Sequence, residues 1–231
     1  SPVTAGSQPD WYMGFADGAL RLVPGFLEFT AFGFTFSLNV FLPAIMLIPV
    51  LYGLAGAYPF LESWVTGDKR EHHLLQRPRN APNRTAFLVS MMTLYGLLWA
   101  AGGNDIIGNL FHISINNITY FMRGAIFVIP PLVFILTKRW CISLQRHDNE
   151  MLLHGYESGV IMRDAVGGYS EKHLPLSPDH AYTLTARERD EVYAGISGTD
   201  ANGVPARKLK LDGLRAKASK AWFATNVQKP T

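Results

Sequence analysis

The residues of this chain best equipped for chemistry lie in one stretch near its start, Pro9-Asp10-Trp11-Tyr12-Met13-Gly14-Phe15-Ala16-Asp17-Gly18-Ala19-Leu20-Arg21-Leu22-Val23-Pro24. Pro9 disfavours helix before it and Asp10 suits the positive end of a helix dipole, so a short helix is predicted to begin here. Trp11, Phe15, Gly18 and Leu22 recur on one side, as in a helix lying at a membrane surface. An acid beside Trp and Tyr at a lipid–water boundary has the parts needed to take a proton from an apolar molecule. The aromatics hold a ring, and partial burial raises a carboxyl pKa into a useful range. An interfacial aromatic anchor with a capping Asp has the same composition, and the residues alone leave both readings open. Asp17, seven positions after Asp10, is either a second acid in a proton relay or the i,i+4 ion-pair partner of Arg21. Asp105 stands open in the same way, as part of a proton exit or as a loop cap.

These residues need elements to place them, and the charge pattern supplies those. The chain has 231 residues, 48% of them apolar and 17% charged, with a formal net charge of +3. The charges are segregated: from Leu22 to Gly67 only Glu28 and Glu62 are charged, and from Thr85 to Thr137 only Asp105 and Arg123. A globular domain carries about one charged residue in four, so stretches this poor in charge belong in lipid. A bilayer core needs about 20 apolar residues in a helix, and three segments qualify: 38–61, 85–103 and 118–137. Pro43, Pro49 and Pro59 interrupt the first, which is tolerated where neighbouring helices cover the freed carbonyls. Arg123, one turn inside the third, is read as structural, snorkelling toward the interface.

The loops set the topology. Residues 66–84 carry five Lys/Arg, residues 104–117 carry none, and Lys138-Arg139 follow the third span directly. The positive-inside rule places the first loop and everything after residue 138 in the cytoplasm, and residues 1–37 and the 104–117 loop outside. The predicted class is an all-α polytopic membrane protein in three parts. Residues 1–37 form an outer loop and interfacial helix, 38–137 the three-span module, and 138–231 a cytoplasmic tail. In that tail, residues 148–160 read as helix, 167–178 as loop, and 181–195 as a short acidic–basic helix. The basic segment 206–223 aligns Leu211, Leu214, Ala218 and Trp222 at helical spacing. Such a helix either binds anionic headgroups or a partner's face, or is simply solvated. A single cysteine rules out a disulfide scaffold, an iron–sulfur site or a CxxCH haem attachment supplied by this chain alone. No metal cluster is expected, and nothing points to nucleic acid. A small transporter is poorly supported, because no intramembrane charge pair or matching half-repeat occurs.

Pro9-Asp10-Trp11-Tyr12, with a Phe shortly after, Leu20-Arg21 two turns on and Pro24 three residues later, resembles the Pro-Glu-Trp-Tyr motif of cytochrome b, the membrane subunit of bc-type quinol:cytochrome c reductases. Tyr58-Pro59-Phe60, the loop His72-His73-Leu74-Leu75-Gln76-Arg77-Pro78-Arg79 and Gly102-Gly103 extend the resemblance over residues 1 to about 145. The loop and the long tail look most like the actinobacterial branch. The resemblance implies that Asp10 stands where the family's glutamate takes a quinol proton. It also implies that Pro9, Trp11, Tyr12, Met13 and Phe15 line the outer-side quinol oxidation site; Asp17 stands where many family members carry an aromatic residue, so Asp17 and Asp105 stay candidate relay acids on their position alone. Asp is one methylene shorter than Glu, which a bridging water would make up. The substrate implied is menaquinol, oxidised to menaquinone. The partners implied are a Rieske iron–sulfur protein, a c-type cytochrome subunit, cytochrome oxidase subunits and the N-terminal half of cytochrome b, in a dimeric complex of the cell membrane.

Haem b is expected in that complex but not on ligands from this chain. The family uses His pairs on facing spans, none of the three spans holds a His, and His72 and His73 point about 100° apart if helical. The haem-bearing half is expected upstream of Ser1, the chain being a fragment of a longer polypeptide rather than a split subunit. Arg77, Arg79 and Arg84 are candidates for anionic lipid or plain topology determinants. A non-catalytic scaffold subunit of a respiratory supercomplex is the competing reading.

Overall fold

The structure is a computed structural model that describes residues 9–68, 76–185 and 206–223; His72 and His73 fall outside these. The chain divides into two compact units, Ser1–Leu61 with Ala86–Leu136, and Glu62–Thr85 with Thr137–Thr231. Among the described residues, three helical stretches are long and apolar enough to cross a membrane: Leu38–Thr66, Pro82–Gly102 and Ile115–His154. The all-α polytopic class is therefore the observed one, with two small β-hairpins added to it.

The first unit opens on a 3-10 turn, Trp11–Met13, and helix α1, Gly14–Leu22. A hairpin follows, β1 Glu28–Ala31 and β2 Phe34–Ser37, in a stretch expected to be loop. Its turn places Phe32 and Gly33 at φ 54° and 77°, the positive values a tight hairpin turn needs. Side-chain alternation sorts Phe29, Ala31, Phe34 and Phe36 onto one face and Glu28, Thr30, Thr35 and Ser37 onto the other.

The first span consists of α2 (Leu38–Phe41), a π-helical turn over Leu42–Met46 and α3 (Leu47–Thr66). Pro43 lies in the π turn, where its missing N–H and bulky ring widen the helix locally. The second span, α4, is Pro82–Gly102. Residues 104–117, expected to be loop, contain helix α5, Asn104–Phe111. The third span belongs to α6, Ile115–His154, which runs 17 residues past the expected end at Thr137. Lys138 and Arg139 end the apolar stretch but not the helix, because long basic side chains are good helix formers.

A small core positions α1. Phe15, Ala16, Ala19 and Leu22 of α1 pack with Leu98 and Ala101 of α4; Leu47, Ile48, Tyr95, Met122 and Ile126 close around them. Glycine makes this approach possible: a methyl on Gly18 would overlap the Leu98 carbonyl oxygen, and one on Gly102 would overlap the Gly14 carbonyl oxygen. Buried Ser90 of α4 donates to the Pro130 carbonyl of α6 at 2.8 Å, a polar tie in an apolar setting.

In the second unit α6 ends at Gly155, whose φ of +82° and contact with the Leu174 carbonyl exclude a side chain. The helix expected over 148–160 therefore stops at His154, and β3 (Tyr156–Arg163) pairs antiparallel with β4 (Tyr169–Leu174) inside the expected 167–178 loop. Helix α7 spans Pro178–Thr185, overlapping only the start of the helix expected over 181–195, whose residues 186–195 lie outside the described ones. Helix α8 is Ala206–Phe223, as expected, but it buries Asp212, Ser219 and Phe223 and leaves Leu211 and Leu214 exposed. Arg79 pairs with Asp148 at 2.7 Å, and its carbonyl accepts from Gln145.

Candidate functional site

The acid-bearing turn is presented outward on a buried base. Asp10 is exposed and is the N-cap residue of the 3-10 turn, yet its side chain makes no capping bond. Its Oδ2 accepts the Tyr12 hydroxyl at 2.7 Å instead. That bond, with a lesser contribution from burial, raises the Tyr12 phenol above its ordinary pKa, because ionising it would set two negative charges together. Among the described residues the carboxylate is exposed, where the sequence predicts partial burial.

Trp11 and Tyr12 stand edge to face, ring centroids 6.1 Å apart at 85°, and both are exposed along with Pro9. Trp99 of α4 fixes this platform by donating its Nε1 hydrogen to the Trp11 carbonyl at 2.9 Å. Met13 is partly exposed, whereas Phe15 turns into the core and packs on Tyr95 at 4.9 Å. The expected single side of Trp11, Phe15, Gly18 and Leu22 holds for the last three only. The 3-10 turn, at about three residues per turn, rotates Trp11 out of phase with α1.

The other two acids meet on one cation. Arg21 Nε lies 2.8 Å from Asp17, and its Nη1 bonds Asp105 at 3.0 Å and the Asn104 side-chain oxygen at 2.6 Å. Asn104 continues the network to Thr119 at 3.2 Å. Burial pushes the Asp105 carboxyl up, but the Arg21 hydrogen bond, the Ile106 N–H and the charge of Arg21 outweigh it and hold the pKa below the ordinary value. Arg21 thus ties α1 to the first turn of α5, and Asp10 lies outside this cluster.

Arg123 Nε donates to the Leu22 carbonyl at 2.7 Å, satisfying one of the free carbonyls at the end of α1, and its guanidinium lies 5.6 Å from the Tyr120 ring centre. Its structural role is therefore to cap α1. Of the arginines near the 66–84 loop, Arg84 bonds Glu62 and Gln76, both at 2.6 Å, Arg79 pairs with Asp148, and Arg77 precedes the short turn Pro78–Asn80. No group of three or more His, Cys, Asp or Glu able to hold a metal occurs among the described residues.

Three parts of this arrangement went unread in the sequence. The glycine contacts had a local signal, Gly14 and Gly18 at the four-residue spacing of close helix packing. The bonds from Arg21 to Asn104 and Asp105 and from Trp99 to Trp11 join residues more than 80 positions apart, with no local signal to find.

Fold and site together define a polytopic helical membrane protein that carries an acid-bearing aromatic turn on a helix packed against its spans. Comparison with known proteins narrows the class. The chain is 48% identical over 231 residues to the cytochrome bc1 complex cytochrome b subunit of Streptomyces coelicolor, covering 99% of this chain and 42% of that one. The same subunit of Mycobacterium leprae is 44% identical over 225 residues (96% and 38%), and that of Mycobacterium tuberculosis 45% over 186 residues (80% and 33%). No protein-family model matches. The chain is therefore a homologue, over nearly its whole length, of the cytochrome b subunit of bc1 complexes. It spans about a third to two fifths of the length of these relatives.

Proposed function

We propose that the chain is part of a cytochrome b and forms one wall of the outer-side quinol oxidation site of a proton-translocating quinol:cytochrome c oxidoreductase. The observation that carries this reading is the Pro9–Tyr12 turn, with Asp10 and two aromatic rings exposed on a segment that α1 and Trp99 hold in place. In the relatives' names the bc1 complex stands for a respiratory oxidoreductase, and the homology supports a membrane setting for the three spans.

In this reading a menaquinol ring rests against Trp11, Tyr12, Pro9 and Met13, and one quinol hydroxyl donates to Asp10. The bound ring displaces water from the carboxylate and sets it within reach of the quinol hydroxyl, as a base that takes the proton while electrons leave requires. Tyr12 already donates to the same carboxylate and orients it. Phe15 acts from beneath by fixing the turn. Asp17 and Asp105 serve chiefly as counter-ions of Arg21, which holds α1 against α5; Asp105, its carboxyl held below the ordinary pKa, is a poor relay.

The electrons pass to a Rieske protein and to b haems ligated by another portion of cytochrome b. Among the described residues, those of the membrane-crossing helices do not fit a haem. Axial ligation takes one His from each of two facing helices, whereas α3 and α4 contain none and α6 carries His147 and His154 on the same helix, past its apolar stretch. The c-type cytochrome, the oxidase subunits, a dimeric complex, a plasma-membrane location and a cytoplasmic tail complete the proposal.

A photoactivatable menaquinol analogue tests the placement in the assembled complex. Labelling within residues 9–13, abolished by excess menaquinol, is expected. Specific labelling that avoids this stretch contradicts the assignment.

A further inference from the structure

Helix α8 is latched by one end to the ends of two spans. Asn83 Nδ2 donates to the carbonyls of Ala221 at 3.3 Å and Trp222 at 2.5 Å, two of the last four carbonyls that a helix leaves without donors. Trp222 Nε1 donates to Glu62 Oε1 at 2.7 Å, Arg84 Nε bonds the same oxygen at 2.6 Å, and the Arg84 guanidinium lies 5.4 Å from the Phe223 ring centre. Glu62 is in the last two turns of α3, and Asn83 and Arg84 are in the first turn of α4. The latch therefore fixes the end of α8 at the level where two membrane-crossing stretches stop.

The helix also turns one semi-polar side inward: Asp212, Ser219 and Phe223 are buried, at 8%, 0% and 4% exposure. The opposite side holds Lys210, Leu211, Leu214, Lys217 and Lys220, all exposed. At about 100° per residue, Lys210, Lys217 and Lys220 fall on one flank of that side, and Leu211 and Leu214 on the other. Residues 206–223 contain six Lys/Arg and one acid, and the acid is the inward Asp212.

From this placement we infer that the outward side of α8 is a binding surface for anionic phospholipid. Leu211 and Leu214 sit at the acyl boundary, and the ammonium groups of Lys210, Lys217 and Lys220 reach the headgroup phosphates. An apolar flank beside a basic one, with no outward carboxylate, is the pattern that lies in a membrane interface. A latch at the span ends keeps it there, so the helix loses little freedom on binding. The inference rests on the spans and the latch, and stands apart from the quinol reading.

Hydrogen–deuterium exchange on the complex, reconstituted in nanodiscs of phosphatidylcholine with or without phosphatidylglycerol, tests it. The amides of residues 207–220 should exchange more slowly with phosphatidylglycerol present, and raised salt should reverse the effect. Each of Lys210→Gln, Lys217→Gln and Lys220→Gln should lower that added protection about fivefold, the factor set by about 1 kcal/mol per basic residue near an anionic surface. Lys172→Gln, in β4, should leave it unchanged. Equal protection of wild-type α8 in both lipid compositions overturns the inference. So does protection that depends on the other subunits and ignores lipid charge, which marks a protein partner instead.

Discussion

Gly18→Ala probes how the acid-bearing turn is held. The added methyl would overlap the Leu98 carbonyl oxygen and lie 2.8 Å from both the Gly102 nitrogen and the Leu98 carbonyl carbon. All three are backbone atoms of α4, so no rotamer change relieves the clash and α1 must lift. Overpacking of this kind costs about 1–3 kcal/mol. Alanine also favours helix over glycine by about 1 kcal/mol, which offsets part of that cost. Gly96→Ala separates the two effects: it is the same change inside α4, with nothing within 4 Å of the new methyl, so it carries the propensity gain alone. The difference between the variants is the clash, about 1–3 kcal/mol, or about 2–12 °C in Tm at roughly 2–4 °C per kcal/mol for a chain of this size. Thermal unfolding in detergent, followed by tryptophan fluorescence, measures it. Gly96→Ala should melt at or above wild type and Gly18→Ala well below Gly96→Ala. Quinol oxidation should also slow in Gly18→Ala, by up to about a hundredfold, because reacting groups tolerate displacements of about 1 Å poorly. Equal melting of the two variants would refute the glycine-mediated packing of α1.

Asp105→Asn should destabilise the first unit by about 1–3 kcal/mol at neutral pH by removing a charged hydrogen-bond partner of Arg21. The carboxyl is held below its ordinary pKa, so its stabilisation is present above the unfolded-state value of about 3.9 and fades as pH falls through the lower folded value. The acid-melting limb should be shallower in Asp105→Asn than in wild type, and identical limbs would count against the pairing. Trp99→Phe removes the donor to the Trp11 carbonyl and should cost about 1 kcal/mol, with faster amide exchange at residues 11–13 than in wild type. Gly155→Ala forces a side chain to φ +82° against the Leu174 carbonyl, at a cost above the roughly 1–2 kcal/mol of left-handed strain alone. Exchange should rise across residues 156–174 and stay unchanged in α4.

The spans were legible because lipid is an exacting solvent: it demands length and tolerates few charges, and both demands are written in composition. Their ends were less so. Lys138 and Arg139 mark where apolar residues stop, but helix hydrogen bonds continue through α6 to Gly155, where only the backbone angle stops them. The sequence reads 28–37 as loop, and in 156–174 the end of a helix followed by a loop, because four- to eight-residue strands carry little periodicity of their own. At the site, the Asp17–Arg21 pair was legible from its i,i+4 spacing. The engagement of Arg21 with Asp105, 84 residues away, depends on how α1 packs and leaves no trace in local sequence. In α8 the alignment of Leu211 and Leu214 was visible, but not that the protein would claim the side with Asp212 and Ser219 and leave the leucines outward.

The central claim is that Asp10 accepts a proton from quinol. The direct measurement is the menaquinol:cytochrome c reductase rate of the assembled complex carrying Asp10→Asn, beside Asp10→Glu, with subunit content checked in each preparation. The account predicts a loss of about 10²–10⁴-fold in Asp10→Asn at unchanged assembly, the usual contribution of a positioned acid–base group, and substantial activity in Asp10→Glu. A fully assembled Asp10→Asn complex that oxidises menaquinol at the wild-type rate would contradict it, and a complex that falls apart would favour a scaffolding role for this stretch.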